Sequence, residues 1–260
     1  MNPSVFTLHR GTLPLLVSLP HDGTHVPDAI AARLSDAART VPDTDWHIAR
    51  LYAFAGEMGA SVLVPVYSRY VIDLNRGEDD VSLYPGQNTT GLCPLRRFDG
   101  GAVYVPGQEP DEDEVRARVE RYWRPYHDAL RGELQRLREA HGRVLLWEGH
   151  SIRGELPFLF EGRLPDLNLG TADGASCSPQ AQARIEAALA TQQDYDWVAN
   201  GRFKGGHITR HHGDPAGGIE AVQLEISQRA YMNEDDSSWD ADKAARLQPL
   251  LQTLLRAAMG

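Results

Sequence analysis

Histidine residues lie shortly after two apolar segments of this sequence. His21 comes after the segment 12–19 (TLPLLVSL), and His150 comes after the segment 143–147 (RVLLW). Two histidines and one carboxylate, with one position left open for water, are a common ligand set of catalytic zinc. The sequence therefore predicts a metal site in which both histidines are ligands.

Four residues are candidates for the third ligand of this site: Asp22, His25, Asp45 and Glu148. Asp22 adjoins His21, and the side chains of successive residues point in different directions. His25 would converge with His21 if a helix began there, but Gly23 and Pro27 favour a turn. The spacing therefore favours a supporting or surface role for His25.

Glu148 and Asp45 are the remaining candidate carboxylates. Glu148 lies two residues before His150, and residues i and i+2 of a strand share a face. Glu148 is therefore suited either to bind the ion or to orient the histidine from behind. Asp45 lies in the first turn of a predicted helix over 44–59, with Thr44 as its N-cap, where an acidic residue also stabilises the helix dipole.

Glu225 lies inside the apolar segment 219–227 (IEAVQLEIS), which is typical of a strand. A buried carboxylate without a partner is costly, so Glu225 has either an ion-pair partner or a chemical function. Apolar surroundings raise the pKa of a carboxyl group and suit it to general-base catalysis. We interpret Glu225 as the base that faces a metal-activated water.

Basic side chains are concentrated in two segments. Arg69, Asn75 and Arg76 lie in SRYVIDLNR, predicted as a strand over 69–75 followed by a turn. The glycine-rich loop 200–218 carries Arg202, Lys204, His207, Arg210, His211 and His212. Arginine binds carboxylates through two parallel hydrogen bonds. Both segments are therefore candidates for binding an anionic substrate.

Apolar segments alternate with segments of helical periodicity along the chain. We predict strands over 12–19, 61–66, 69–75, 143–147, 195–199 and 219–227, and helices over 44–59, 111–141, 179–192 and 240–258. Pro125 should kink the helix 111–141 or divide it in two. The aperiodic segment 77–110 is expected to be a long functional loop. The alternation predicts one α/β domain over residues 1–260, with a largely parallel or mixed sheet between helices.

The candidate site residues are not scattered over these elements. In open α/β sheets, ligands bind beyond the carboxyl ends of the strands. His21, Asn75, His150 and Glu225 all lie at or near the carboxyl ends of predicted strands. We therefore expect them to form one site.

Composition excludes some classes of partner. The 260 residues carry a formal net charge of −10, which argues against binding to nucleic acid or anionic membranes. The sequence contains two cysteines, Cys93 and Cys177, so we do not expect a disulfide framework. We therefore expect the protein to reside in the reducing cytoplasm. The first residues, MNPSVFTLHRG, lack the apolar core of a secretory signal, and no apolar run reaches the roughly 20 residues that span a bilayer.

Four blocks of the sequence resemble the N-formylglutamate amidohydrolases: DTDWHI (43–48), VIDLNR (71–76), FEGRLPDLNLGTADGASC (160–177) and NGRFKGGHITRHHG (200–213). The resemblance runs from Leu15 to Asn233. It implies a three-layer α/β/α sandwich around a mixed sheet, as in the related zinc carboxypeptidases and aspartoacylase, with Zn²⁺ or another divalent transition metal. It also implies hydrolysis of N-formyl-L-glutamate, a small dianion, in histidine degradation.

The resemblance also implies the metal ligands. The related enzymes bind their metal through a His-x-x-Glu pair and a later histidine. His21 and His150 match the two histidines, but Thr24 stands where the glutamate would be. The carboxylate must then come from elsewhere, and the DTDWHI block favours Asp45.

Substrate-binding and catalytic roles follow from the same resemblance. Asn75 and Arg76 match the pair that holds a substrate carboxylate. Arg69 matches the arginine that stabilises the oxyanion, and Glu225 matches the catalytic glutamate. The other carboxylate of the substrate would be held from the basic loop, by Lys204, His207 or Arg210. The alternatives are a deacylase or peptidase for another N-acyl amino acid, and a non-catalytic metal-dependent binding protein.

Overall fold

Short segments of buried, mostly apolar residues form the sheet of this protein. A computed structural model describes residues 4–81 and 89–260. The strands within these ranges are β1 (Phe6–His9), β2 (Leu15–Ser18), β3 (Ser61–Pro65), β4 (Val144–Ile152), β5 (Leu167–Gly170), β6 (Trp197–Ala199) and β7 (Ile219–Ser227). They form one sheet in the order β1-β3-β2-β4-β7-β5-β6.

The middle of the sheet is parallel, and antiparallel pairs lie towards its edges. β2 pairs in parallel with β3 and β4, and β4 pairs in parallel with β7. β1 is antiparallel to β3, whereas β5 is antiparallel to β7 and parallel to β6. The carboxyl ends of β2, β4 and β7 therefore lie side by side at one edge. The prediction of a mixed, largely parallel sheet is confirmed.

The helices connect these strands and cover the sheet. They are α1 (Asp28–Ala31), α2 (Ile48–Leu51), α3 (Phe54–Glu57), α4 (Glu112–Arg118), α5 (Arg124–His141), α6 (Pro179–Ala190), α7 (His207–His212) and α8 (Ala241–Met259). A π-helical turn, Val119–Trp123, joins α4 to α5. Short 3-10 turns lie at Ala172–Gly174 and Gln228–Ala230. No helix in the described part of the chain has the length and apolar character needed to span a membrane.

Alternate side chains of the central strands pack into two separate cores. Leu15 and Val17 of β2 lie in one core, together with Leu251 of α8. Leu16 lies in the other core, together with Leu130 of α5. Because side chains alternate between the faces of a strand, the two cores lie on opposite faces of the sheet. Helices pack on both faces, as the predicted three-layer sandwich requires.

The predicted helix over 44–59 is wrong in its extent. The chain forms two single-turn helices there, α2 and α3, and α2 begins only after His47, whose φ is 64°. Thr44 is therefore not an N-cap, and Asp45 lies before the helix rather than in its first turn. The left-handed conformation of His47 prevents a helix from running through this position.

The predicted interruption at Pro125 is confirmed. The segment 111–141 is helical, but the π-helical turn Val119–Trp123 separates α4 from α5, and Pro125 lies at the start of α5. Proline has no N–H to donate to the carbonyl four residues earlier, and the wider turn accommodates this loss. Asp111 caps α4 by accepting from the backbone N–H of Glu114 at 2.8 Å.

Two further predictions of local structure are wrong. The segment 69–75 is not a strand but a buried irregular segment, in which Oδ1 of Asp73 accepts from the backbone N–H of Asn75 at 2.9 Å. Such side-chain bonds compete with strand pairing. The predicted loop 200–218 contains the helix α7, and the short strands β1 and β5 were not predicted. Of the predicted loop 77–110, residues 82–88 lie outside the described ranges.

Candidate active site

The candidate site lies at the carboxyl ends of the central parallel strands, as expected for an open α/β sheet. His21 follows the end of β2, while His150 and Glu225 lie near the ends of β4 and β7. The register of these two strands pairs His150 with Glu225. Asp45 comes from the segment before α2, and its backbone N–H donates to the His21 carbonyl at 3.1 Å. Four separate segments therefore meet here.

Nδ1 of His21, Nδ1 of His150 and Oδ2 of Asp45 form a compact triangle of donor atoms. Its edges are 3.1 Å between the nitrogens, 3.0 Å from His150 to Asp45 and 3.8 Å from His21 to Asp45. A tetrahedral Zn²⁺ with bonds of about 2.0–2.1 Å separates its ligand atoms by about 3.3 Å. The donor types and their spacing therefore fit a divalent transition metal.

Each of the two histidines contacts a carboxylate through its Nε2, the ring nitrogen outside the donor triangle. Nε2 of His21 lies 2.7 Å from Oδ1 of Asp73, and Nε2 of His150 lies 2.7 Å from Oε1 of Glu148. A carboxylate that accepts from one ring nitrogen leaves the lone pair on the other. In both rings that other nitrogen is the Nδ1 of the donor triangle. Asp73 and Glu148 thus turn the Nδ1 edges of both rings towards Asp45.

Asp45 is held as an ionised carboxylate. Its Oδ2 also accepts from the backbone N–H of Ser151 at 3.0 Å. Burial by itself would raise the pKa of Asp45, but the interactions with the adjacent His150 and His21 rings outweigh it and hold the pKa well below its usual range. The negative charge that a metal ligand needs is therefore present.

The structure places the other ligand candidates elsewhere. Oδ1 of Asp22 accepts from the backbone N–H of Ala49 at 2.9 Å and so caps the N-terminus of α2. His25 is exposed, and its ring lies 5.1 Å from that of Tyr67. Glu148 faces the far side of the His150 ring. Of the candidates for the third ligand, only Asp45 joins the donor triangle.

Arg69 brings a positive charge to the same place. Its Nη2 lies 2.5 Å from Nδ1 of His21, and its guanidinium carbon lies 4.7 Å from the centre of the Phe98 ring. The residue is 8% exposed, and its Nε has no hydrogen-bond partner among the described residues. Because Nδ1 has a single lone pair, Arg69 and a metal ion compete for it. Metal binding at this nitrogen would therefore require Arg69 to move away from it.

Glu225 lies beside the donor triangle and lines the same cleft. It is 7% exposed. Burial raises the pKa of Glu225 to about 8, against the opposing effect of the His150 and Arg69 charges. A carboxyl group with a pKa near neutrality is suited to accept a proton and to return it.

The donor triangle opens into a cleft with a volume of about 110 Å³. Of the predicted substrate-binding residues, Asn75 and Arg76 line it. Asn75 is held from two sides: its Oδ1 accepts from the backbone N–H of Ile208 at 2.9 Å, and its Nδ2 lies 3.0 Å from Nε2 of His150. Asn75 thus links the wall of the cleft to one of the candidate metal ligands.

The other predicted substrate-binding residues do not reach the wall of the cleft. Nζ of Lys204 lies 3.1 Å from Asp173, and Nε of Arg210 donates to the Gly205 carbonyl at 2.8 Å. The His207 ring stacks on His211 with 5.0 Å between their centres. The structure therefore brings together Asn75 and Arg76 but leaves Lys204, His207 and Arg210 outside.

Sequence reasoning missed two residues of the site, Asp73 and Gln223. Asp73 lies between Arg69 and Asn75 in the VIDLNR block, but the predicted strand concealed its contact with His21. Gln223 lies two residues before Glu225, so the alternation of a strand could have placed both on the same face. Oε1 of Gln223 accepts from the backbone N–H of Gly206 at 2.7 Å.

Comparison with known proteins identifies relatives along nearly the whole chain. N-formylglutamate deformylase from Pseudomonas putida is 51% identical over 256 residues, which cover 98% of this chain and 96% of that one. The protein of the same name from Pseudomonas aeruginosa is 49% identical, with the same coverage. The sequences are therefore similar over almost their full lengths.

Solved structures agree with this relationship. An N-formylglutamate amidohydrolase from Ralstonia eutropha JMP134 superposes with a TM-score of 0.83 at 27% identity, covering 98% of this chain and 97% of that one. A gene product of Agrobacterium tumefaciens, 19% identical with a TM-score of 0.71, shares the fold and covers 98% and 96% of the two chains. The sequence profile of the N-formylglutamate amidohydrolase family matches residues 13–232. This chain belongs to the N-formylglutamate amidohydrolase family.

Proposed function

We propose that this protein hydrolyses N-formyl-L-glutamate to formate and L-glutamate, as a cytoplasmic step of histidine degradation. One observation carries the proposal: the donor triangle of His21, Asp45 and His150 lies beside Glu225 and Arg69 in a cleft lined by further arginines. The names of the Pseudomonas relatives, at 49–51% identity, support the choice of substrate.

His21, Asp45 and His150 would hold one Zn²⁺ or another divalent transition metal. The spacing of their donor atoms, the ionised state of Asp45 and the carboxylates behind both histidines support this assignment. A bound ion of this kind would lower the pKa of a coordinated water towards about 7 and polarise the formyl oxygen.

Glu225 would act as the general base. Its carboxylate takes a proton from the attacking water as the new C–O bond forms at the formyl carbon. It then returns the proton to the amine nitrogen as the C–N bond breaks, so the products are formate and the free amino group of glutamate. Its raised pKa, about 8, favours holding the proton between the two transfers.

Arg69 would stabilise the negative charge that develops on the formyl oxygen. Its guanidinium already faces the donor triangle and is buried against Phe98, where a charge acts through little water. Asn75 and Arg76 would hold one carboxylate of the substrate, because they line the cleft next to Arg69. An arginine fork suits this task.

Metal analysis and a formate assay test the proposal together. The purified protein should contain about one equivalent of metal and release formate from N-formyl-L-glutamate. Chelation should abolish turnover, and adding back Zn²⁺ should restore it. N-acetyl-L-glutamate and N-formyl-L-aspartate, assayed in parallel, separate this activity from that of a deacylase for other N-acyl amino acids. Protein that stays inactive with every metal and substrate would contradict the proposal and favour a binding protein.

A further inference from the structure

We propose that Arg202 binds the side-chain carboxylate of the substrate and so makes the enzyme selective for N-formyl amino acids with an acidic side chain. The inference rests on the proposed function, which supplies a substrate with two carboxylates. Arg202 lies in the same basic loop, 200–218, as Lys204, His207 and Arg210.

Arg202 lies in the wall of the cleft that contains the donor triangle. Its Nη2 donates to the Leu159 carbonyl at 3.3 Å, and its guanidinium carbon lies 5.5 Å from the centre of the Phe203 ring. Leu159 and Phe203 also line the cleft. Arg202 therefore brings a positive charge to the part of the wall that Leu159 and Phe203 also line.

The loop that carries Arg202 is fixed at both ends. At its start, the backbone N–H of Asn200 donates to the Leu169 carbonyl at 2.7 Å. At its end, Gly206 packs against Asn75 so closely that a Cβ at Gly206 would lie 2.2 Å from Nδ2 of Asn75. The same glycine donates to Gln223 of β7. Since both ends are anchored to the sheet or to the site, the loop holds Arg202 at a defined place relative to Asn75.

The other cations of the cleft have different tasks. Arg69 contacts His21 and lies 3.4 Å from Asp73, so it belongs to the reacting centre. Arg76 directly follows Asn75 and is proposed to hold one carboxylate with it. The second carboxylate then requires another arginine in the wall, and among the described lining residues Arg202 fills this role.

The test compares two substrates that differ only in the charge of the side chain. N-formyl-L-glutamate and N-formyl-L-glutamine have nearly the same shape, so a residue that binds the side-chain carboxylate affects only the first. We expect Arg202→Gln to lower kcat/KM for N-formyl-L-glutamate about 30- to 1,000-fold. For N-formyl-L-glutamine the same variant should change kcat/KM by less than about three-fold. Arg202→Lys should restore part of the loss, because lysine keeps the charge but not the fork.

Arg163→Gln is the matched control, because Arg163 is an exposed arginine before β5 and does not line the cleft. It should leave both substrates unaffected. If Arg202→Gln slows both substrates equally, or neither, the inference is wrong. If the unaltered enzyme releases no formate from N-formyl-L-glutamate, the proposed function is wrong instead. Calorimetric titration of both compounds into the unaltered protein and Arg202→Gln then decides the inference: selective loss of N-formyl-L-glutamate binding supports it, and equal binding overturns it.

Discussion

Nδ1 of His21 and Nδ1 of His150 face each other at 3.1 Å, although the two residues lie 129 positions apart in the chain. Although burial alone would lower it, the Glu148 and Asp45 carboxylates hold the pKa of His150 well above its usual range, so the His150 ring carries a proton that a metal ion would replace. The arrangement is maintained because Asp73 and Glu148 hold the opposite edges of the two rings. The two carboxylates therefore keep both Nδ1 atoms directed towards the same point.

Asp73→Asn should weaken metal binding by about 10- to 100-fold, as expected when a partner of a ligand histidine loses its charge. Asparagine keeps an oxygen that accepts from Nε2 of His21, so the fold should be retained. Competition with a fluorescent zinc chelator measures the change in affinity. The exposed Asp128 is the control position, and Asp128→Asn should bind metal normally. Equal affinity for Asp73→Asn and the unaltered protein would contradict a role for Asp73 in orienting His21.

Glu225→Gln should lower kcat by about 10²–10⁴-fold, because glutamine cannot accept the proton of the attacking water. Metal content should not fall, since Glu225 lies outside the donor triangle. We expect the formate assay to show this loss of turnover. Elemental analysis should show an unchanged metal content. Glu161→Gln, at an exposed position, serves as the control. Normal turnover by Glu225→Gln would exclude Glu225 as the base.

The stability of the fold should decrease as the pH falls below about 6.5, because buried neutral histidines resist protonation. Burial lowers the pKa of His127 to about 3, despite its hydrogen bond to the Leu74 carbonyl at 2.9 Å, and the nearby charges of His207 and His212 lower it further. Between pH values of about 3 and 6.5, the His127 side chain binds a proton in the unfolded chain but not in the folded chain. The contribution of neutral His127 to the free energy of unfolding is thus fully present above pH 6.5 and is lost as the pH falls towards about 3.

His127→Gln should reduce this pH dependence by about 1.4 kcal/mol per pH unit between pH 6 and 4, the slope for one proton. Denaturant unfolding at several pH values measures it. His141→Gln, at an exposed position at the end of α5, should leave the slope unchanged. The same slope for His127→Gln as for the unaltered protein would show that His127 is protonated in the folded state.

Gly206→Ala should impair activity by at least about ten-fold, because a displacement near 1 Å at a site can cost about 100-fold in rate. The added methyl group would overlap Nδ2 of Asn75, so either Asn75 or the loop must move. The matched control is Gly132→Ala in the exposed face of α5, where a Cβ meets nothing within 4 Å. That control should keep its activity and gain about 0.5–1 kcal/mol of stability, since alanine favours the helix. Full activity of Gly206→Ala in the formate assay would contradict the tight contact.

Part of the fold follows from local patterns alone. The segments around Leu146 and Leu224 are apolar runs bounded by polar residues, so their strands and the mixed, largely parallel sheet were predicted correctly. The interruption near Pro125 was predictable because proline lacks a hydrogen-bond donor. The prediction of one domain over residues 1–260 stays a prediction.

Other segments were misassigned because contacts distant in the chain decide their conformation. Residues 69–75 resemble a strand, but Asp73 and Asn75 turn inwards to bind His21 and Ile208. Asp45 was predicted inside a helix, but α2 begins only after His47. Its first turn is capped by Asp22, which is distant in the sequence. Neither contact leaves a periodic signal in the local sequence.

The sequence by itself determined which chemistry the site contains, because histidines, carboxylates and arginines follow strands whose carboxyl ends meet at one edge of a sheet. Only the tertiary structure decided which carboxylate joins the histidines and which supports them. Asp45 reaches the donor triangle, Glu148 and Asp73 lie behind the rings, and Asp22 caps a helix. The physical reason is that a ligand role depends on distances of about 3 Å between atoms of separate segments, which residue types and spacing do not specify.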